Sequence, residues 1–159
     1  MAGKRTKPVK DDVVAEFNRL FWLARKSQRR LGKKATASDP DHQAALAFAK
    51  AQGWSWAELL LAASRLDCAA ENDKALKLLA ECEPSVPDSW RGHFHFVRGA
   101  ALAAKGEHDE AIKAYRKALD DPKFDTPAAY AWTNLGIVLA AKGELDEAIK
   151  AYRKALDDP

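Results

Sequence analysis

The sequence predicts an all-α protein: a helical hairpin solenoid preceded by an N-terminal helical cap region. Two observations carry this. Residues 103–122 and 140–159 agree at 19 of 20 positions, differing only where His108 meets Leu145, at an offset of 37 residues. Self-similarity at a period of roughly 20 to 50 residues marks stacked supersecondary units, each covering an apolar side of its neighbour. Elsewhere apolar residues recur at steps of three and four. No stretch alternates apolar and polar residues as a strand does, and no Asn-Gly or Asp-Gly turn is present.

Residues 1–10 lack apolar periodicity and carry four basic residues, which reads as a flexible basic tail. From Asp11 the residues Val13, Val14, Phe17, Leu20, Phe21 and Ala24 trace one buried helical stripe, ending at Gly32. A second helix follows Ser38 or Asp39 as cap, with Pro40 in the first turn and Gly53 beyond the end. A third begins near Ser55, which stands at capping-box spacing from Glu58. A fourth, "NDKALKLLAECEP", is closed by Pro84. Beyond it come two copies of one unit: an apolar helix, a Gly-containing turn, an amphipathic helix and a Pro-bearing linker. The domain reading is therefore a tail over 1–10, a helical region over 11–54, a helix pair over 55–87, and units over 88–122 and 123–159.

The residues of the second unit resemble the tetratricopeptide repeat family. Trp132, Leu135, Gly136, Leu139, Ala148, Tyr152, Ala155 and Pro159 fall along the family's pattern, and the first unit matches it through Gly99, Leu102, Ala111, Tyr115, Ala118 and Pro122. The small Gly136 and Ala148 suit a close approach of two helices. His95 and Arg98 depart from the usual aromatic and leucine, and the linkers lengthen the period. Aligning Asp73 and Ala75 with Asp109 and Ala111 sets Ala63 opposite Gly99 and Leu79 opposite Tyr115, so that 55–84 reads as a degenerate third copy. Any amphipathic helix pair also meets several of these positions.

The resemblance implies a TPR-like right-handed superhelix whose first helices line a concave face, and a non-catalytic scaffold binding a peptide or helix of a partner protein there. On that face helical spacing selects His93, Phe96, Ala100, Ala103 and Ala104 in the first unit, and Tyr130, Thr133, Ile137, Ala140 and Ala141 in the second, and the resemblance adds Asn134. Some members of the family grip a C-terminal carboxylate with Lys, Arg and Asn on successive first helices. Only Asn134 fits such a position, which disfavours that ligand.

Charge is uneven. Residues 1–34 carry 11 Lys+Arg against 3 Asp+Glu, net +8, while the remainder carries 15 against 20, net −5. Arg25, Lys26, Arg29, Arg30, Lys33 and Lys34 form a basic run that offers contact with nucleic acid or with an acidic partner. A nucleic-acid-associated adaptor is thus one alternative function, and the regulatory front end of a larger enzyme is another.

Catalysis and cofactors are not expected. There is no Gly-rich phosphate loop, nucleophile elbow or Ser/His/Asp pattern, and the acidic residues opening each amphipathic helix suit the helix dipole. No metal site is expected, since His93 and His95 lie about 200° apart around a helix. Two cysteines, no leader and no long apolar run suggest a cytoplasmic protein without a membrane span. The last helix, written like the internal one, carries no polar outer face. This favours either a longer array or self-association through the C-terminal helix.

Overall fold

The computed structural model describes residues 11–124 and 128–157. The expected tail over 1–10, part of the linker at 125–127, and Pro159 lie outside them. The described residues form helices α1 (Asp11–Leu31), α2 (Pro40–Gln52), α3 (Ser55–Cys68), α4 (Asn72–Cys82), α5 (Arg91–Ala104), α6 (His108–Asp120), α7 (Ala128–Ala141) and α8 (Leu145–Asp157), with short 3-10 turns after α1, after α4 and before α5. No strand occurs among them.

Helices α3 to α8 pair as successive hairpins, α3 with α4, α5 with α6 and α7 with α8, and each second helix also packs on the first helix of the next hairpin. The result is an all-α helical repeat solenoid. Small residues set the hairpin spacing. A Cβ at Gly99 would lie 2.8 Å from the Tyr115 ring, and one at Gly136 would lie 2.6 Å from the Tyr152 ring. The turns reverse through left-handed residues, Gly106 (φ 80°) and Gly143 (φ 84°), with Ala70 (φ 63°) between α3 and α4. In each, the N–H three residues past the helix returns to a carbonyl in its last turn: Glu71 to Leu66, Glu107 to Leu102 and Glu144 to Leu139, at 2.8, 3.0 and 2.9 Å.

Asp39 caps α2, accepting the His42 N–H at 3.1 Å, and its other oxygen accepts the Ser27 hydroxyl of α1 at 2.9 Å. The expected Ser55–Glu58 capping box does not form. Trp54 occupies the N-cap position, and its carbonyl accepts the N–H groups of Ala57 and Glu58 at 3.0 and 3.2 Å, which places Ser55 inside the helix.

An aromatic cluster welds α1 to the array. The Phe17 ring lies 4.8 Å from Trp90, 5.6 Å from Trp54 and 5.9 Å from Trp56, and Phe21 lies 5.3 Å from Trp90. Such ring pairs add about 0.5–1.5 kcal/mol each beyond the area they bury. Helix α1 packs against α2 and α3, and its C-terminal half reaches α5.

Candidate functional site

The first helices α3, α5 and α7 form one layer, and α1 lies over its first two members. Arg25 of α1 is buried, and its guanidinium donates to Ser64 Oγ and Asp67 Oδ2 of α3, both at 2.8 Å. The same group sits 5.2 Å from the centre of the Phe96 ring, a cation–π contact. Burial opposes the charge, but Asp67, with Cys68 and Tyr115 nearby, more than offsets it and raises the Arg25 pKa above its ordinary value. Trp22 completes the seat, with its ring 5.2 Å from Phe96 and 5.9 Å from His93.

The expectation that His93 and Phe96 face an open groove is therefore corrected. Both are buried, Phe96 at 0% exposure, beneath the side chains of α1. The expectation of Arg25 as a surface contact is corrected for the same reason. Its charge is spent on Asp67.

The face stays open where α1 stops covering it, between α1 and α7. There a groove of about 780 Å³ has Asn18, Arg19, Trp22, Leu23, Lys26 and Arg29 on one wall and Tyr130, Thr133, Asn134 and Ile137 on the other. Tyr130 and Ile137 are 50% and 54% exposed and share the groove with Leu23, 41% exposed, so that the exposed apolar groups are grouped rather than scattered. A smaller cavity of about 290 Å³ adjoins it, sharing Arg25, Arg29, Asn134 and Ile137 and reaching Asp67, Ala100, Ala103 and Tyr115.

Two of the polar wall residues are already engaged. The Thr133 hydroxyl donates to the Ala129 carbonyl at 2.8 Å, and the Asn134 side chain lies beside the Tyr115 hydroxyl. Burial raises the Tyr115 pKa and keeps the phenol protonated. Arg30, Lys33 and Lys34 are exposed but do not line the groove. The two residue sets separated in the sequence, the first-helix positions of the second unit and part of the basic run, thus meet across one cleft. Trp22 and Leu23 were missed as wall residues. The unbroken apolar run "FWLA" at 21–24 signals them, because one buried stripe cannot use four consecutive residues of a helix.

The hairpins also repeat their ion pairs. Lys142, in the turn after α7, reaches back to Asp109 at the start of α6 at 2.7 Å, and Lys105, in the turn after α5, reaches Asp73 at the start of α4 at 2.9 Å. The tetratricopeptide repeat family model matches residues 88–126 and 96–159. Residues 88–159 are a tetratricopeptide repeat segment. The segment holds one wall of the groove, on α7, while α1, outside the matched residues, holds the other. No curated protein and no solved structure matches the chain.

Among the described residues no three His, Cys, Asp or Glu side chains converge as metal ligands, and no helix is long and apolar enough to cross a membrane. Burial pushes the Cys82 thiol up to about 11 and raises that of Cys68, so neither is primed as a nucleophile.

Proposed function

We propose that the protein is a non-catalytic interaction scaffold that seats a helix or peptide of a partner protein in the groove between α1 and the tetratricopeptide repeat segment. Repeats of this kind indicate protein–protein interaction in general. The exposed pair Tyr130 and Ile137, facing Trp22 and Leu23 across the cleft, carries the placement. An apolar cleft with a few polar groups suits a side chain that desolvates on binding. Tyr130→Ala and Ile137→Ser are expected to abolish capture of partner peptides while leaving the circular dichroism spectrum unchanged. Retained capture by both variants would sink the assignment.

The reading extends to the architecture. Residues 55–87 act as a third, degenerate unit, and residues 11–54 as the cap that closes the first-helix face over α3 and α5. The shared register of Lys105–Asp73 and Lys142–Asp109 supports this, as does the common turn.

A second surface follows from α8. Its sequence matches α6 at every position but the first, yet Ile149 is 48% exposed where the equivalent Ile112, covered by α7, is 5% exposed. Leu145 and Leu156 extend the same exposed apolar set. The proposed occupant is a second copy of this chain, packed α8 on α8, because a two-fold contact lets the one exposed apolar set of Leu145, Ile149 and Leu156 cover itself. Light scattering over a concentration series tests it. A monomer at every concentration would exclude the contact.

A further inference from the structure

The groove between α1 and α7 carries information about its occupant as well as its position. Its α7 wall is electrically neutral: from Ala128 to Ala141 there is no Asp, Glu, Lys, Arg or His. All of its charge stands on the α1 wall, and there the basic residues divide. Arg19 is paired with Glu16 at 2.7 Å and Arg25 with Asp67 at 2.8 Å. Lys26 and Arg29 are in no ion pair among the described residues, and no carboxylate lines the groove. They sit three apart, side by side on one helical face.

A segment that covers Tyr130 and Ile137 must lie against these two cations and strip water from them. Burying a cation without a counter-charge is costly, so a purely apolar or basic occupant would forfeit much of what it gains by covering the apolar wall. Carboxylates on the occupant remove that cost and add charge-assisted hydrogen bonds. We propose that the groove selects an acidic amphipathic segment of a partner protein, its apolar side chains on Tyr130 and Ile137 and its carboxylates on Lys26 and Arg29. The proposal rests on the groove being the partner site, and it specifies the chemistry of that partner.

Nucleic acid suits the cleft less well. The Trp22 ring is engaged by Phe21, His93 and Phe96 at 5.4, 5.9 and 5.2 Å, and Tyr130 is the half-exposed ring of the groove, a short platform for successive stacked bases. The remaining basic residues of the run, Arg30, Lys33 and Lys34, do not line the groove.

The test is selection of random dodecapeptides displayed on phage against the full chain, with the Tyr130→Ala/Ile137→Ser protein run in parallel. The expected result is a set of clones lost on that variant and enriched in Asp and Glu over Lys and Arg. A synthetic peptide from this set should bind the Lys26→Glu/Arg29→Glu protein about tenfold or more weakly, and salt should weaken its binding to the unaltered chain. Its Asp/Glu→Lys counterpart should prefer the charge-reversed protein. Groove-dependent clones without acidic enrichment would overturn the proposed chemistry and leave the groove as the partner site. Absence of any groove-dependent clone would overturn both. Oligothymidylate bound by the unaltered chain and lost on the Tyr130→Ala/Ile137→Ser protein would assign the cleft to nucleic acid and overturn the acidic-peptide proposal.

Discussion

Arg25 of α1 and Asp67 of α3 meet at 2.8 Å with both side chains less than a tenth exposed, and this pair pins the N-terminal helix across the face of the repeat array. Breaking a buried pair by removing one partner strands the other charge, at about 3–5 kcal/mol. Asp67→Ala should lower stability by that amount in urea denaturation. Arg25→Met/Asp67→Leu, which removes both charges and keeps their volume, should recover most of the loss. Equal destabilisation by the single and double variants would show that packing rather than charge sets the cost.

The two glycine–tyrosine contacts should respond unequally to a methyl group. Gly99 faces Tyr115, which is almost fully buried, whereas Gly136 faces Tyr152, which is only partly buried. Gly99→Ala is expected to cost about 1–3 kcal/mol, because the ring has nowhere to go. Gly136→Ala should cost less although its contact is the tighter one, 2.6 against 2.8 Å, since Tyr152 can swing outward. Thermal denaturation of the two variants checks the order.

Ile112 and Ile149 occupy the same place in nearly identical helices with opposite surroundings, 5% against 48% exposed. Ile112→Ala should cost about 2–5 kcal/mol, as for a buried large-to-small change, and Ile149→Ala well under half of that in a dilute monomeric sample. Equal costs would mean that α8 is covered in solution.

Ala70 holds φ at 63° in a turn whose equivalents are Gly106 and Gly143. A left-handed residue with a Cβ is strained by roughly 1–2 kcal/mol. Ala70→Gly should therefore stabilise the chain, by about 1 kcal/mol once the greater freedom of glycine in the unfolded state is offset. A lower denaturation midpoint would contradict this.

Two histidines make stability pH-dependent. Burial, with Arg65 nearby, lowers the pKa of His42, and burial, with Lys117 nearby, lowers that of His95, both from an ordinary 6.5. The unfolded chain then takes up protons first. Their contribution is complete above pH 6.5 and is lost as pH falls through the lowered folded values. The loss begins before the carboxylates, with ordinary values of 3.8 to 4.5, start to titrate. Denaturation midpoints should drop over that interval in the unaltered protein and hold flatter in His42→Gln/His95→Gln.

Much of the fold is legible in the sequence because its signals are local. The 37-residue offset, Gly32 and Gly53 past their helices, and Pro40 in a first turn each declare an element within a few residues. The site was half legible. Tyr130 and Ile137 follow from helical spacing on the second unit, and Lys26 and Arg29 from the basic run. That α1 folds back over α3 and α5 depends on contacts between residues far apart in sequence, such as Arg25 with Asp67 and Trp22 with Phe96, which no local period encodes. Phe96 therefore reads as an anchor for a partner from its spacing, while in the structure its partner is the chain's own N-terminal helix.

The docking of α1 on that face underlies the groove, the buried ion pair and the proposed partner chemistry, and it can be observed directly. The rings of Trp22 and Phe96 are 5.2 Å apart centre to centre, close enough for their edge protons to exchange magnetisation. A NOESY spectrum of the full chain should show cross-peaks between the Trp22 indole and Phe96 ring protons, lost in Trp22→Ala. Their absence, with a Phe96 ring accessible to a soluble paramagnetic probe, would mean that α1 leaves the face open, that no α1–α7 groove exists, and that partner binding must be sought on α5.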